Sequence, residues 1–249
     1  MLAIAAVAKP VFSAKWDGAR ARIENLYGTA LPLGRDLLLT ADHVVANVLD
    51  AAPEFAVGWG APEDSHEPGG PVPFSRASVA ARWPEVDLAA LRLPAPLENL
   101  PAWDMGIHAI FTPVASIGFP FGYDVTDKTV TPRGFSGNIV CSHNYPRFSG
   151  NPSVYELSFA TPRGLSGGPL LLGARICGAI VGNHQTKMLV FSDEERVEES
   201  GAVTRVERYE VMNLGIAITA RSILDLRLPD KVRLFDFVRA AGTEIVNVD

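Results

Sequence analysis

The chain has 249 residues, 47% of them hydrophobic and 20% charged, and carries a formal net charge of −6. That balance describes a folded chain long enough to bury a large core rather than a disordered polymer. Its acidic sign argues against an extended nucleic-acid or anionic-membrane surface, and no run approaches the ~18 apolar residues of a membrane helix.

The opening run Met1-Leu2-Ala3-Ile4-Ala5-Ala6-Val7-Ala8 is apolar, but no basic segment precedes it, and Lys9-Pro10-Val11-Phe12 follows without a cleavage signature. It reads as a first strand packed on an N-terminal barrel, and the expected location is cytoplasmic. From about 20 to 93, β-rich runs at 21–26, 36–39, 54–58 and 78–82 alternate with turn residues at the spacing of a small barrel. A short helical turn over 41–48 would carry His43 at its start. The Gly- and Pro-rich piece 60–73 reads as a surface loop with a solvated His66, and Pro94, Pro96 and Pro101 mark the crossing between halves.

The strand pattern restarts over 107–117 and turns through Gly118-Phe119-Pro120-Phe121-Gly122. Residues 129–131 lead through Pro132-Arg133-Gly134 to another run at 135–140, and 154–159 alternates well before a glycine-rich turn. Runs at 170–172 and 176–181 form a hairpin around Gly173. A long excursion, 185–212, carries Asp193-Glu194-Glu195-Arg196-Val197-Glu198-Glu199-Ser200. It is either a solvated charged tip on a β-hairpin or a sensor loop. The tail from 230 holds an amphipathic stretch, 232–239, that suits a short helix before Gly242. The organisation read from this is a first unit over 1–100, a second over 101–228 and a tail over 229–249.

The chemistry centres on Thr161-Pro162-Arg163-Gly164-Leu165-Ser166-Gly167-Gly168-Pro169. A serine in G-x-S-G-G-P is a nucleophile signature: Gly164 lets the backbone turn so that its own N–H and that of Ser166 aim at one oxyanion position. Gly167 and Gly168 are expected to leave room for a substrate backbone. A serine hydroxyl is a poor nucleophile at neutral pH. It needs a general base, and that base needs an acceptor fixing its tautomer. Upstream, Leu37-Leu38-Leu39-Thr40-Ala41-Asp42-His43 and Val86-Asp87-Leu88 supply His43 and Asp87 for those roles.

With its order His, Asp, Ser, each in its own context, the chain resembles the trypsin-like serine proteases of the chymotrypsin fold. Gly28-Thr29-Ala30, Gly118-Phe119-Pro120-Phe121-Gly122 and Asn213-Leu214-Gly215-Ile216-Ala217-Ile218 make it closest to the HtrA-type branch. The resemblance implies an all-β chain of two six-stranded antiparallel β-barrels, with the active site in the cleft between them and a short C-terminal helix. It implies that Val181, Gly182 and Asn183 offer main-chain hydrogen bonds to an extended peptide. It also implies three pocket walls: Ala160, Thr161, Pro162 and Arg163; Val181, Gly182 and Asn183; and Gly215, Ile216 and Ala217. No Asp or Glu lies among them, so a buried Arg or Lys of a substrate would find no counter-charge. Small or medium aliphatic P1 residues follow, with Ala160 and Ala217 as small linings.

Arg163 stands where HtrA-type proteins usually have proline; it either lies on the pocket rim, favouring acidic groups, or is solvated. Leu165 stands where digestive relatives have the aspartate that pairs with a newly cut N-terminus, so activation by that insertion is not expected. A PDZ domain, which HtrA-type proteins often carry after the protease, is not expected after 228. The implied partner is a polypeptide substrate, with neither nucleic acid nor membrane, and the 185–212 excursion is the place for a regulatory partner or a second copy of the chain.

The reading is a serine endopeptidase acting through an acyl-enzyme. The alternative is a latent trypsin-like module that binds extended peptides. An esterase is weaker, because Ser166 is followed by Gly167-Gly168-Pro169 and a strand-like run rather than by a helix. Cys141 and Cys177 read as two buried free thiols or as one disulfide within the second barrel. His43, His66, His108, His143 and His184 form no ligand-like cluster in the sequence, so no metal and no cofactor is expected.

Overall fold

A computed structural model describes residues 4–18, 20–51, 54–58, 74–120, 123–124, 129–196 and 203–248. After a short helix α1 (Ile4–Val7), six strands close a barrel: β1 (Lys9–Asp17), β2 (Arg20–Pro32), β3 (Leu37–Ala41), β4 (Phe55–Gly58), β5 (Phe74–Trp83) and β6 (Leu88–Arg92). Around the barrel the order is β1-β2-β3-β6-β5-β4, with every pairing antiparallel. Helix α2 (Asp42–Ala51) leaves the end of β3, and a single 3-10 turn (Pro84–Val86) precedes β6.

The second half contributes β7 (Trp103–Asp104), β8 (Pro113–Gly118), β9 (Tyr123–Asp124), β10 (Thr129–Val130), β11 (Arg133–Asn144), β12 (Ser153–Leu157), β13 (Pro169–Leu172), β14 (Arg175–Arg196), β15 (Val203–Thr219) and β16 (Ile245–Val246). Strands β13, β8, β11, β12, β15 and β14 follow one another, and β13 pairs back onto β14, so this sheet is ring-like. Strands β7 and β16 extend it by parallel pairs, and β9 pairs with β10 beside it. Helices α3 (Ala220–Leu224) and α4 (Leu234–Ala240) lie between β15 and β16.

Continuous apolar runs appear where a strand is covered on both faces. In Leu37-Leu38-Leu39, Leu38 points into the core of the first barrel, while Leu37 and Leu39 join a second core shared with Trp103, Ile176, Val181 and Ile216. The same alternation sends Ile180 and Ala217 into the core of the second ring, and Val181, Ile216 and Ile218 into the shared one. Fully burying each such side chain contributes roughly 1.5–3 kcal/mol, which fixes the two sheets against each other and with them the cleft.

Several expectations change. Residues 4–7 are helical and the first strand begins only at Lys9; the alanines of this run favour helix over a pleated surface. The strand expected over 107–117 is confined to Pro113–Gly118, because Thr112 N–H turns back to Ala109 C=O and Phe111 adopts a left-handed φ of 69°. Ile107, Ile110 and Phe111 are exposed as a result. Helix α3, capped by the Thr219 side chain accepting from Ser222 N–H, has no counterpart among the expected elements. Both cysteines are free, and Cys141 is half-buried rather than buried. The excursion is a two-stranded ribbon of β14 on β15, exposing Leu189, Phe191, Tyr209 and Met212; the tip of its charge run, 197–202, and the 60–73 loop with His66 lie outside the described residues. No helix among them is long and apolar enough to cross a membrane.

Candidate active site

His43 is the second residue of α2, where the apolar strand β3 gives way to helix. Asp87 occupies the junction between the 3-10 turn and β6, in a left-handed conformation with φ 53°, its N–H on Pro84 C=O at 3.2 Å. Asp and Asn tolerate that conformation better than bulkier residues. The two side chains meet because β3 pairs with β6, Ala41 opposite Leu88. His43 Nδ1 lies 2.8 Å from Asp87 Oδ2, and His43 main-chain N–H donates to Oδ1 at 3.0 Å. Asp87 thus holds both the ring and the backbone of the histidine. Next to it, Arg82 grips Asp42 through two hydrogen bonds of 2.6 and 2.9 Å, satisfying the buried carboxylate at the helix start.

The serine segment is two consecutive tight turns sharing one corner. Leu165 N–H bonds to Pro162 C=O at 3.0 Å, and Gly168 N–H to Leu165 C=O at 2.9 Å. The third residue of each turn is a glycine with positive φ, Gly164 at 100° and Gly167 at 83°, which is the type II form. Type I and type II turns differ by a flip of the central peptide, so the sign of φ at Gly164 states which way its N–H points. The three-residue spacing of these glycines follows from the shared corner. That corner, Leu165, is fully buried in the core of the second ring with Leu170 and Ile180. A hydrophobic anchor thus stands where digestive relatives use an ion pair.

Contacts from the first barrel fix this segment. Thr29 N–H donates to Ser166 C=O at 2.9 Å, Thr29 Oγ1 donates to Gly164 C=O at 2.7 Å and accepts from Phe119 N–H at 3.1 Å, and Thr40 Oγ1 donates to Thr29 C=O at 2.7 Å. Gly28 permits the approach: a Cβ there would lie 2.6 Å from a methyl of Val44 and 2.9 Å from Ser166 C=O. The missing side chain of Gly167 accommodates the protein itself. A Cβ would come within 2.1 Å of Thr29 C=O, so this glycine makes room for β2 rather than for a substrate. Ser166 is half-buried, and among the described residues its hydroxyl forms no hydrogen bond with His43.

The three expected pocket walls are brought together, with a different division of labour. Gly215 N–H bonds to Phe159 C=O at 2.9 Å beside the methyl of Thr161. Asn183 reaches across to Thr161, accepting from its N–H at 2.7 Å and donating to its C=O at 2.7 Å. Thr161 Oγ1 takes up Gly182 C=O. Val181, Ile216 and Ala217 direct their side chains into the cores and can offer only main chain, so Ala217 does not line a pocket with its methyl. Ala160 and Arg163 are exposed. Strand β13 pairs with β14 as far as Ala179, and Gly167 and Gly168 extend the contact to Ile180, which leaves that edge of β14 open only from Val181 onward among the described residues.

The closed six-stranded barrel and the ring-like second sheet define a trypsin-like peptidase architecture. The chain belongs to the family of trypsin-like peptidase domains, whose model matches residues 28–182. No curated protein matches the sequence. Among solved structures, the active form of the Rv3671c protease of M. tuberculosis superposes with a TM-score of 0.57 at 17% identity, covering 88% of this chain and 78% of that one. The HtrA-type protease AlgW, solved with a decapeptide, gives 0.57 at 19% identity, covering 87% of this chain and 62% of that one. A serine endoprotease from Yersinia pestis gives 0.54 at 16% identity, covering 86% and 59%.

One expectation about the histidines fails. His143 on β11 and His184 on β14 both reach Glu156 on β12, at 3.3 and 2.9 Å. Strand pairing assembles this group from residues far apart in the chain, and only the pair Cys141 and His143, two apart on one strand, gave a local trace of it.

Proposed function

We propose that the chain is a serine endopeptidase in which Ser166 attacks the scissile carbonyl, His43 takes the hydroxyl proton and passes it to the leaving amine, and Asp87 orients His43 and stabilises its charged form. The C–N bond breaks as the acyl-enzyme forms, and a water activated by His43 then cleaves the ester. The N–H groups of Gly164 and Ser166 hold the oxyanion, each worth on the order of 3–4 kcal/mol in the transition state. The observation that carries this reading is the double hydrogen bond from His43 to Asp87. A histidine held at both ring and main chain has one tautomer, with Nε2 left free as a base.

Peptide is the substrate class the open edge of β14 favours, by addition of an extended strand alongside Val181 and Asn183; AlgW with its decapeptide supports this by similarity of fold. The Asn183 bridge to Thr161 narrows the space between the walls, and neither wall carries a carboxylate. Both features favour small aliphatic P1 residues. Labelling with a fluorophosphonate probe, read by intact mass beside Ser166→Ala, tests the reading. One adduct on the native chain and none on the variant is expected. No adduct on either would replace the enzyme with a latent peptide-binding module.

A further inference from the structure

On the outer face of the second ring, Cys141 and His143 lie two residues apart on β11, and therefore on one side of the strand. Glu156 on β12 stands opposite Cys141 in register. The thiol sulfur, a ring nitrogen of His143 and a carboxylate oxygen of Glu156 all lie within 4.8 Å of one another. His184 adds a second imidazole, its Nδ1 at 2.9 Å from Glu156 Oε1. All four residues are half-buried, reachable from solvent yet held by the sheet.

The proton on His143 is placed by its surroundings. Nδ1 lies 2.8 Å from Asn144 C=O, which can only accept, so Nδ1 carries the hydrogen. In the neutral ring Nε2 then presents a lone pair to Glu156 Oε1 at 3.3 Å, acceptor against acceptor. A cation between them removes that conflict. A ring N–H tied to a backbone carbonyl is also the usual support behind a metal-bound histidine. In a tetrahedral site with bonds of about 2.0 Å to nitrogen and oxygen, donor atoms stand roughly 3.3 Å apart, the separation that His143 Nε2 and Glu156 Oε1 already have at 3.3 Å.

We propose that Cys141, His143 and Glu156 form a binding site for a divalent transition-metal ion of the zinc class, with His184 swinging in as the fourth protein donor. The mixed sulfur, nitrogen and oxygen set favours zinc over magnesium or calcium, which prefer oxygen alone. Binding exchanges the Cys141 thiol proton, released to solvent, for a metal–sulfur bond. The site is separate from His43 and Asp87. It adjoins the open edge of β14 through Ile216, which pairs with both Glu156 and Gly182.

The test is titration of the full chain, reduced with a phosphine and freed of metal by chelation, with Co²⁺ as a spectroscopic substitute for Zn²⁺. One Co²⁺ per chain with a thiolate-to-cobalt charge-transfer band, displaced by Zn²⁺, is expected. Cys141→Ser should lose the band, and His143→Ala and Glu156→Gln should weaken binding at least ~10-fold. Zn²⁺ should raise Tm of the native chain and leave that of Cys141→Ser unmoved. The native spectrum is decisive even if a variant misfolds, since the other thiol, Cys177, is 1% exposed. Absence of the band on the native chain, or a band and Tm shift that persist in Cys141→Ser, would overturn the proposal.

Discussion

The hydroxyl of Thr29, on β2 of the first barrel, donates to the main-chain carbonyl of Gly164 at 2.7 Å. The turn proposed to hold the oxyanion is therefore set by the other half of the molecule. Because the same hydroxyl accepts from Phe119 N–H, it links three segments distant in sequence. Thr29→Val keeps the shape and removes both bonds, leaving a buried carbonyl and a buried N–H without their partner. Stability should fall by about 1–3 kcal/mol. The rate of fluorophosphonate labelling should fall more than ten-fold under conditions where the variant remains folded by circular dichroism. An unchanged labelling rate would show that the turn holds its form without Thr29.

Asp87→Asn replaces an acceptor-only carboxylate with an amide that can present N–H to His43 Nδ1, favouring the wrong tautomer. The expected loss is about 10⁴-fold in kcat for peptide hydrolysis, with Tm changed by only a few degrees. Turnover within ten-fold of the native chain would remove Asp87 from the proposed triad.

Asn183→Gly deletes the bridge to Thr161 and opens the space between the two walls. Peptide-library cleavage should shift from small P1 residues toward Leu, Met or Phe, by roughly 10-fold or more in relative kcat/KM, since each added methylene buried contributes about 1 kcal/mol. An unaltered P1 profile would mean that Asn183 does not bound the pocket.

Lys9 is buried in the first barrel, and burial lowers its ammonium to about 8 from 10.5. The folded chain binds fewer protons at this site than the unfolded one between these values, so the lysine destabilises the fold below pH 8, and stability is regained as pH rises toward 10.5. The effect amounts to about 3 kcal/mol. Urea unfolding of the native chain and of Lys9→Met should differ in slope over that window, the variant lacking the rise. Parallel curves would refute the assignment.

Cys177 is buried in the core of the second ring, and desolvation raises its thiol to about 12, so it remains protonated at neutral and mildly alkaline pH. Mild alkylation of the metal-free native chain at pH 8 should modify Cys141 alone, with Cys177 reacting only after unfolding. Equal modification of both, read by peptide mapping, would contradict this burial.

Much of the architecture was legible in the chain because local rules govern it. The strands at 21–26 and 78–82 lie within β2 and β5, the one at 54–58 matches β4 except at Glu54, and the helical turn at His43 and the tail helix before Gly242 also appear. Gly-x-Ser-Gly fixed the double turn, since only glycine accepts positive φ at both Gly164 and Gly167 without strain. What failed locally were the short pieces. The strands β7 and β16 are two residues each and exist only because a neighbouring sheet edge pairs with them.

The sequence by itself determined the class of fold and the candidates His43, Asp87 and Ser166, because alternation, turn chemistry and nucleophile context act over a few residues. Tertiary structure alone decided that Asn183 bridges to Thr161, that Thr29 braces Gly164, that Ala217 faces a core, and that Cys141, His143, Glu156 and His184 converge. The physical reason is strand pairing. Antiparallel neighbours can be any distance apart along the chain, and a one-residue change of register turns every side chain to the opposite face. Which groups meet is therefore a property of the closed sheets and not of any single segment.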